Sequence, residues 1–224
     1  TRFEFLVVRS LAQTGRTDEA FATLNAAYDE YRCRYQPTNL MVTETLETLV
    51  ALLAARGESA RAAELLAADF TGIVEESRDA RALATISRIA AYPHGLTPEA
   101  YALAERAARR LAEGDPRSAI APGLIALAQA RAGRLDEALA TLNSHDAGPA
   151  AGEMAAADAP VADRTAEAER LAIHAIALRA AGRKDDARAM LAKFDALLQG
   201  GDNPVNLNLA ALIAEARAAA AASE

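Results

Sequence analysis

Histidine and cysteine are the side chains of this sequence best suited to hold a metal ion or to act as nucleophiles. The three histidines, His94, His145 and His174, lie far apart, and none has a second ligand one helical turn away, as a zinc-binding helix requires. The sequence therefore predicts no metal site and no cofactor. His174 lies within the apolar pattern of a helix, where we expect a packed structural residue, and His94 follows Pro93, where we expect a turn.

The single cysteine, Cys33, lies between Arg32 and Arg34. A catalytic thiol needs a general base, and no histidine is near Cys33 in the sequence. We therefore expect a structural or simply exposed thiol. One cysteine also excludes a disulfide within the chain and fits a reducing compartment, so we expect the protein in the cytoplasm.

Pairs of acidic residues recur along the chain and could be mistaken for the two carboxyl groups of a general acid-base site. Each pair follows a glycine at the same short distance, which is typical of the first turn of a helix, where the helix dipole favours negative charge. The sequence also has no Gly-x-Ser-x-Gly turn and no phosphate-binding glycine loop. It predicts no catalytic residue and a protein that is not an enzyme. The acidic pairs are Asp18-Glu19, Asp136-Glu137 and Asp185-Asp186.

A cluster of arginines is the best local candidate for contact with an acidic peptide or a phosphate. No aromatic residue accompanies it for stacking on bases, and the chain has 31 acidic against 24 basic side chains, for a net charge of −7. Nucleic acid is therefore not an expected partner. We expect a solvated helix face with ion pairs to Glu105 and Glu113. The cluster comprises Arg106, Arg109, Arg110 and Arg117.

The elements that carry these residues are predicted to be helices only. Of the 224 residues, 52% are hydrophobic and 4% aromatic, so the apolar content is mostly alanine and leucine, which favour helices over strands. No apolar run approaches the roughly 18 residues that a membrane span needs. The chain begins without methionine inside an apparent helix, so we expect a processed product or part of a longer protein.

A repeated pattern divides the chain into helical hairpins. Four glycines each precede an alanine by five residues, with acidic or polar residues between them and a leucine four residues after the alanine. Glycine can end a helix in the left-handed conformation, and alanine lets two helices approach closely. Further helix starts are predicted where a capping residue precedes proline, at Thr97-Pro98, Asp115-Pro116 and Asn203-Pro204. The glycines are Gly15, Gly57, Gly133 and Gly182, the alanines Ala20, Ala62, Ala138 and Ala187, and the leucines Leu24, Leu66, Leu142 and Leu191.

This order of glycine, acids, alanine and leucine resembles the tetratricopeptide repeat (TPR) family. The resemblance implies an all-α, right-handed α-α superhelix of about five hairpins and a C-terminal capping helix. The gap between Gly57 and Gly133 leaves room for a pair without the glycine turn, and residues 145–163 read as a low-complexity insertion, either mobile or ordered by a partner. The single domain covers 1–224, with units at 1–36, 38–71, 74–113, 116–144 and 164–199 and a capping helix at 204–222.

The first two units are also similar to the kinesin-light-chain-like repeats of bacterial signalling proteins, on the evidence of Gln36-Pro37-Thr38 after a long helix. The resemblance implies that the first helix of each hairpin lines a concave groove that binds a protein or peptide. The lysine and asparagine set that clamps a terminal carboxylate in co-chaperones is absent. The implied groove residues are Arg2, Phe5, Arg9, Gln13, Glu44, Glu47, Leu127, Arg131, Glu169 and Arg179.

The resulting prediction is a non-catalytic scaffold that docks a protein segment in its groove as part of a larger assembly. Two alternatives stay open at this point. The chain could be a regulatory or sensor segment of a larger bacterial enzyme such as a protein kinase, or a structural subunit of a complex.

Overall fold

The computed structural model describes residues 16–146, 161–199 and 212–218, and all regular structure in these ranges is helical. The prediction of an all-α chain is confirmed. Residues 212–218 form a tenth helical segment, α10, within the predicted capping helix. The preceding helices are α1 (Thr17–Arg34), α2 (Leu40–Ala55), α3 (Ser59–Glu76), α4 (Ala80–Ala91), α5 (Pro98–Gly114), α6 (Ala121–Arg131), α7 (Leu135–Asp146), α8 (Val161–Ala180) and α9 (Lys184–Gln199).

Three of the four predicted glycine turns lie in the described ranges, and each has the expected left-handed backbone. The φ angles are 75° at Gly57, 79° at Gly133 and 77° at Gly182, and Gly15 lies outside the described residues. After Gly57 the backbone N–H of Glu58 donates to the carbonyl of Leu53 at 2.9 Å, which closes the helix end in the pattern of a Schellman motif. These turns join α2 to α3, α6 to α7 and α8 to α9.

The structure confirms one predicted helix start and contradicts another. The Thr97 hydroxyl accepts a hydrogen bond from the backbone N–H of Ala100 at 3.4 Å, as predicted for the start of α5. The predicted start at Asp115-Pro116 is wrong, because Asp115 accepts from the backbone N–H groups of Arg117 and Ser118 at 3.2 and 3.0 Å and closes a turn. Helix α6 begins only at Ala121.

The hairpin without a glycine turn is formed by α4 and α5, but its first helix starts later than the sequence suggests. Helix α3 runs on to Glu76, and α4 begins at Ala80. Asp79 caps α4 by accepting hydrogen bonds from the backbone N–H groups of Arg81 and Ala82 at 2.9 and 3.3 Å. The Tyr101 side chain fixes the turn between the two helices, since its hydroxyl accepts from the N–H of Leu96 and donates to a carbonyl of the same turn.

The predicted hairpin interiors form the core. The four repeat alanines and the four repeat leucines are all buried. The first helices of successive hairpins, α2, α4, α6 and α8, pack against one another in order, and each hairpin packs internally. Within the described ranges, no helix is both long enough and apolar enough to cross a bilayer.

Candidate partner-binding groove

An open groove lies between α2 and α4, the first helices of two successive hairpins. Its volume is about 490 Å³, within the range typical of ligand-binding clefts. Of the residues predicted to line a concave groove, it contains Glu44 and Glu47. The full lining consists of Thr38, Leu40, Thr43, Glu44, Glu47, Asp79, Arg81, Ala82, Thr85, Ile86, Arg88 and Ile89.

The apolar part of the groove has a buried floor and one exposed side chain. Ala82, Ile86 and Ile89 are buried in α4. Leu40, in the first turn of α2, is 66% exposed. Among the described residues, Tyr35 is the one other large apolar side chain that is exposed. A partner that covers an exposed leucine beside an apolar floor removes apolar surface from water, which favours binding.

One end of the groove is held by an ion cluster that joins α4 to α8. Arg88 donates to the two carboxylate oxygens of Glu169 at 2.9 and 3.3 Å, and the Tyr92 hydroxyl donates to Glu169 at 2.6 Å. Burial opposes the charge of Arg88, but the adjacent Glu169 carboxylate outweighs it and raises the pKa of the guanidinium. Burial and the same carboxylate raise the pKa of Tyr92 well above its usual range, so its hydroxyl stays a donor.

A second ion cluster ties α10 to α6 and to the turn between α4 and α5. Arg131 donates to the carboxylate of Glu215 at 2.6 and 2.7 Å, and its side chain is only 4% exposed. Arg131 also donates to the carbonyl of Tyr92 at 3.2 Å, and His94 contacts Glu215 at 2.7 Å. Burial alone would raise the pKa of Glu215, but the hydrogen bonds from His94 and Arg131 lower it to about 2.

The structure places the other predicted groove residues in different surroundings. Leu127 is fully buried, and Arg131 and Glu169 are held in the two internal ion clusters, so these three side chains make their contacts inside the protein. Arg179 is half-buried. Arg2, Phe5, Arg9 and Gln13 lie outside the described residues.

The α4 side of the groove was missed by sequence reasoning. The implied groove residues lie on helices that end at a repeat glycine, and the hairpin of α4 and α5 has no such glycine. Asp79 in front of an apolar helical pattern is the local signal that would have located α4 and therefore Thr85.

The residues considered for chemistry occupy structural or surface positions. Cys33 is exposed, while Arg32 pairs with Asp69 at 2.8 Å and Arg34 with Glu30 at 2.9 Å. As predicted, His174 is buried in α8 and His94 lies in a turn. Within the part of the chain that the structure describes, no group of three or more candidate ligands is placed to hold a metal ion.

Two members of the arginine cluster form the predicted ion pairs along α5. Arg109 pairs with Glu105 at 2.7 Å, and Arg110 pairs with Glu113 at 3.4 Å. Glu105 also binds Arg134, which directly precedes α7, and although burial would raise the pKa of its carboxyl group, the arginines lower it. The cluster is therefore partly neutralised on the helix surface.

Comparison with known proteins shows the fold. No known protein family matches the sequence, and no curated protein matches it. A crystal structure of a Podosopora anserina protein, described as a kinesin light chain with nearly identical TPR-like repeats, is similar with a TM-score of 0.52 and 16% identity, covering 88% of this chain and 93% of that chain. A second structure of that protein has a TM-score of 0.49 over the same shares, also at 16% identity. The TPR-like stack of helical hairpins expected from the sequence is confirmed.

Proposed function

We propose that this protein is a non-catalytic scaffold that holds an extended segment of another protein in the groove between α2 and α4. The observation that carries the proposal is the exposed Leu40 beside the apolar floor of an open groove. Stacks of this kind bind through such concave surfaces, and their fold supplies no reaction of its own.

The packing of α2 against α4 favours an extended occupant. The axes of packed helices lie about 8 to 10 Å apart, whereas a helix with its side chains is about 10 to 12 Å across. Since α2 and α4 pack against each other, the groove between them admits one extended chain more readily than a whole helix. Alternate side chains of such a chain would face the floor.

The docked segment would join this protein to a larger assembly. The inner helices α4, α6 and α8 are tied together by the two ion clusters, which supports a rigid platform around the groove. A pre-formed site loses less conformational freedom on binding than one that must first become ordered.

A substitution that fills the groove tests the proposal. Thr85 is half-buried in the groove wall, so Thr85→Trp should occupy the space that a partner needs. Ala68→Trp is the matched control, because Ala68 is exposed on α3, which does not line the groove. Tagged forms of the protein would be captured from the source cells, and co-captured proteins quantified by mass spectrometry.

We expect Thr85→Trp to lose at least one partner that the wild-type protein and Ala68→Trp retain. Circular dichroism should show the same helical content in all three proteins. An identical set of captured proteins for Thr85→Trp and the wild type would exclude the groove as the docking site.

A further inference from the structure

The groove carries an excess of carboxylate groups. Glu44, Glu47 and Asp79 line it together with two arginines, Arg81 and Arg88. The formal charge of the lining is therefore negative. Glu44 is exposed on α2, where water and an incoming ligand can both reach its carboxylate.

The arginines offset less of this charge than their number suggests. Arg88 donates through Nε and one terminal nitrogen to Glu169 of α8, which does not line the groove, so its charge is already compensated. Arg81 lies in the first turn of α4 beside Asp79, whose carboxylate caps the helix. The negative charge that an incoming ligand can reach is thus that of Glu44, on the α2 side.

The apolar contact lies on the same helix as this charge. Leu40 and Glu44 are one helical turn apart on α2 and therefore project from the same face. A partner that covers Leu40 must place its neighbouring side chains beside Glu44. An acidic neighbour would be repelled there, and an uncharged one would leave the carboxylate partly desolvated without a charge partner.

We infer that the occupant of the groove is an extended segment of another protein in which lysine or arginine alternates with large apolar residues. In an extended chain, side chains two positions apart lie on one face, so a basic and an apolar residue spaced in this way reach Glu44 and Leu40 together. The net charge of −7 would also attract a basic segment at long range. This inference rests on the proposed function and names the chemical class of the partner.

Three labelled twelve-residue peptides test it by fluorescence anisotropy with the full chain. The first repeats Lys-Ser-Leu-Ser three times, which puts lysine and leucine alternately on one face. The second has glutamate in place of lysine, and the third has serine in place of leucine. Each control changes one of the two properties that the groove is inferred to recognise.

We expect the lysine-leucine peptide to bind up to about fivefold more tightly than the glutamate control, since one exposed charge pair changes an equilibrium constant by up to about that factor. It should also bind more tightly than the serine control, which has no large apolar side chain to cover Leu40. Its affinity should fall as salt is raised from 0.05 to 0.5 M, because salt screens the exposed charges. Leu40→Ala should weaken binding of the lysine-leucine peptide but leave the serine control unchanged.

Charge reversal at two sites separates a local contact from the effect of net charge. Glu44→Lys should weaken binding of the lysine-leucine peptide about fivefold or more and strengthen binding of the glutamate peptide. Glu64→Lys makes the same change in net charge on the exposed face of α3, away from the groove, and should alter neither affinity as much. Equal effects of the two variants would overturn the inference.

The remaining outcomes distinguish this inference from the proposed function. Tighter binding of the glutamate peptide would reject a basic segment and leave the groove as a docking site. The same conclusion follows if no peptide binds but Thr85→Trp still abolishes partner capture. If Thr85→Trp changes neither peptide binding nor partner capture, both the groove and its inferred occupant are rejected.

Discussion

At the scale of single residues, Gly57 and Gly72 have opposite effects on the stability of the protein. Gly57 lies in the turn between α2 and α3 with a φ of 75°, a backbone conformation that is unfavourable for a residue with a Cβ atom. Gly72 lies on the exposed face of α3, and a Cβ atom added there would meet nothing within 4 Å. The first glycine is required by the backbone, and the second only weakens its helix.

The same substitution should therefore change stability in opposite directions at these two glycines. We expect Gly57→Ala to lower the free energy of unfolding by about 1 to 2 kcal/mol because of the left-handed backbone. Gly72→Ala should raise it by about 1 kcal/mol, the difference in helix propensity between the two residues. Urea unfolding followed by circular dichroism measures both, and a loss of stability for Gly72→Ala would contradict the structure.

The sequence reveals the glycine turns because their cause is local. Few residues other than glycine adopt the left-handed backbone easily, so Gly57, Gly133 and Gly182 could be identified without knowledge of the fold. The positions of Arg131 and Glu169 could not be found in this way, since their partners lie 84 and 81 residues away along the chain. The family resemblance implies that both line the groove, whereas the fold places both in buried ion pairs.

At the scale of elements, α10 is held on the stack by both apolar and charged contacts. Leu212, Ile213 and Ala216 are buried, and Glu215 binds Arg131 and His94. The sequence predicted a capping helix here but gave no means of pairing Glu215 with Arg131. The ionised state of Glu215 is favoured in the folded protein, which makes this contact dependent on pH.

The contribution of Glu215 should be lost in acid. Its pKa is about 2 in the folded protein and about 4.5 when unfolded, so the stabilisation is present above pH 4.5 and disappears as the pH falls from there toward 2. At pH 7 we expect Glu215→Gln to lower the free energy of unfolding by about 3 kcal/mol, and the difference from wild type to shrink below pH 4.5. Thermal unfolding between pH 7 and pH 3 measures this difference.

His94 contacts the same carboxylate, so the comparison is best repeated in a His94→Gln background, where Arg131 remains as the ionic partner. The loss caused by Glu215→Gln should persist there at pH 7, because Arg131 would still be left buried without its carboxylate. If the destabilisation caused by Glu215→Gln grew as the pH was lowered, the folded protein would not stabilise Glu215 as an anion.

At the scale of the whole molecule, the stack differs from a simple linear array of hairpins. In such an array each repeat contacts only its neighbours, and stability is close to a sum of local terms. Here Glu169 of α8 reaches past the hairpin of α6 and α7 to Arg88 of α4 and to Tyr92, which directly follows α4. The chain is therefore linked across the interior of the superhelix, and we expect its hairpins to unfold together.

Removal of this link should make unfolding less cooperative. Glu169→Ala leaves Arg88 and Tyr92 without their shared carboxylate, and breaking a buried ion pair from one side costs about 3 kcal/mol or more. We expect the urea transition to fall in midpoint and to split, with hydrogen exchange showing earlier loss of protection in α8 and α9 than in α2 and α3. Arg188→Ala, which removes only an exposed pair with Asp185 on α9, is the control and should retain one transition. If Glu169→Ala also retains a single transition at the wild-type midpoint, the interior link does not hold the hairpins together, and neighbouring contacts alone account for the stability of the stack.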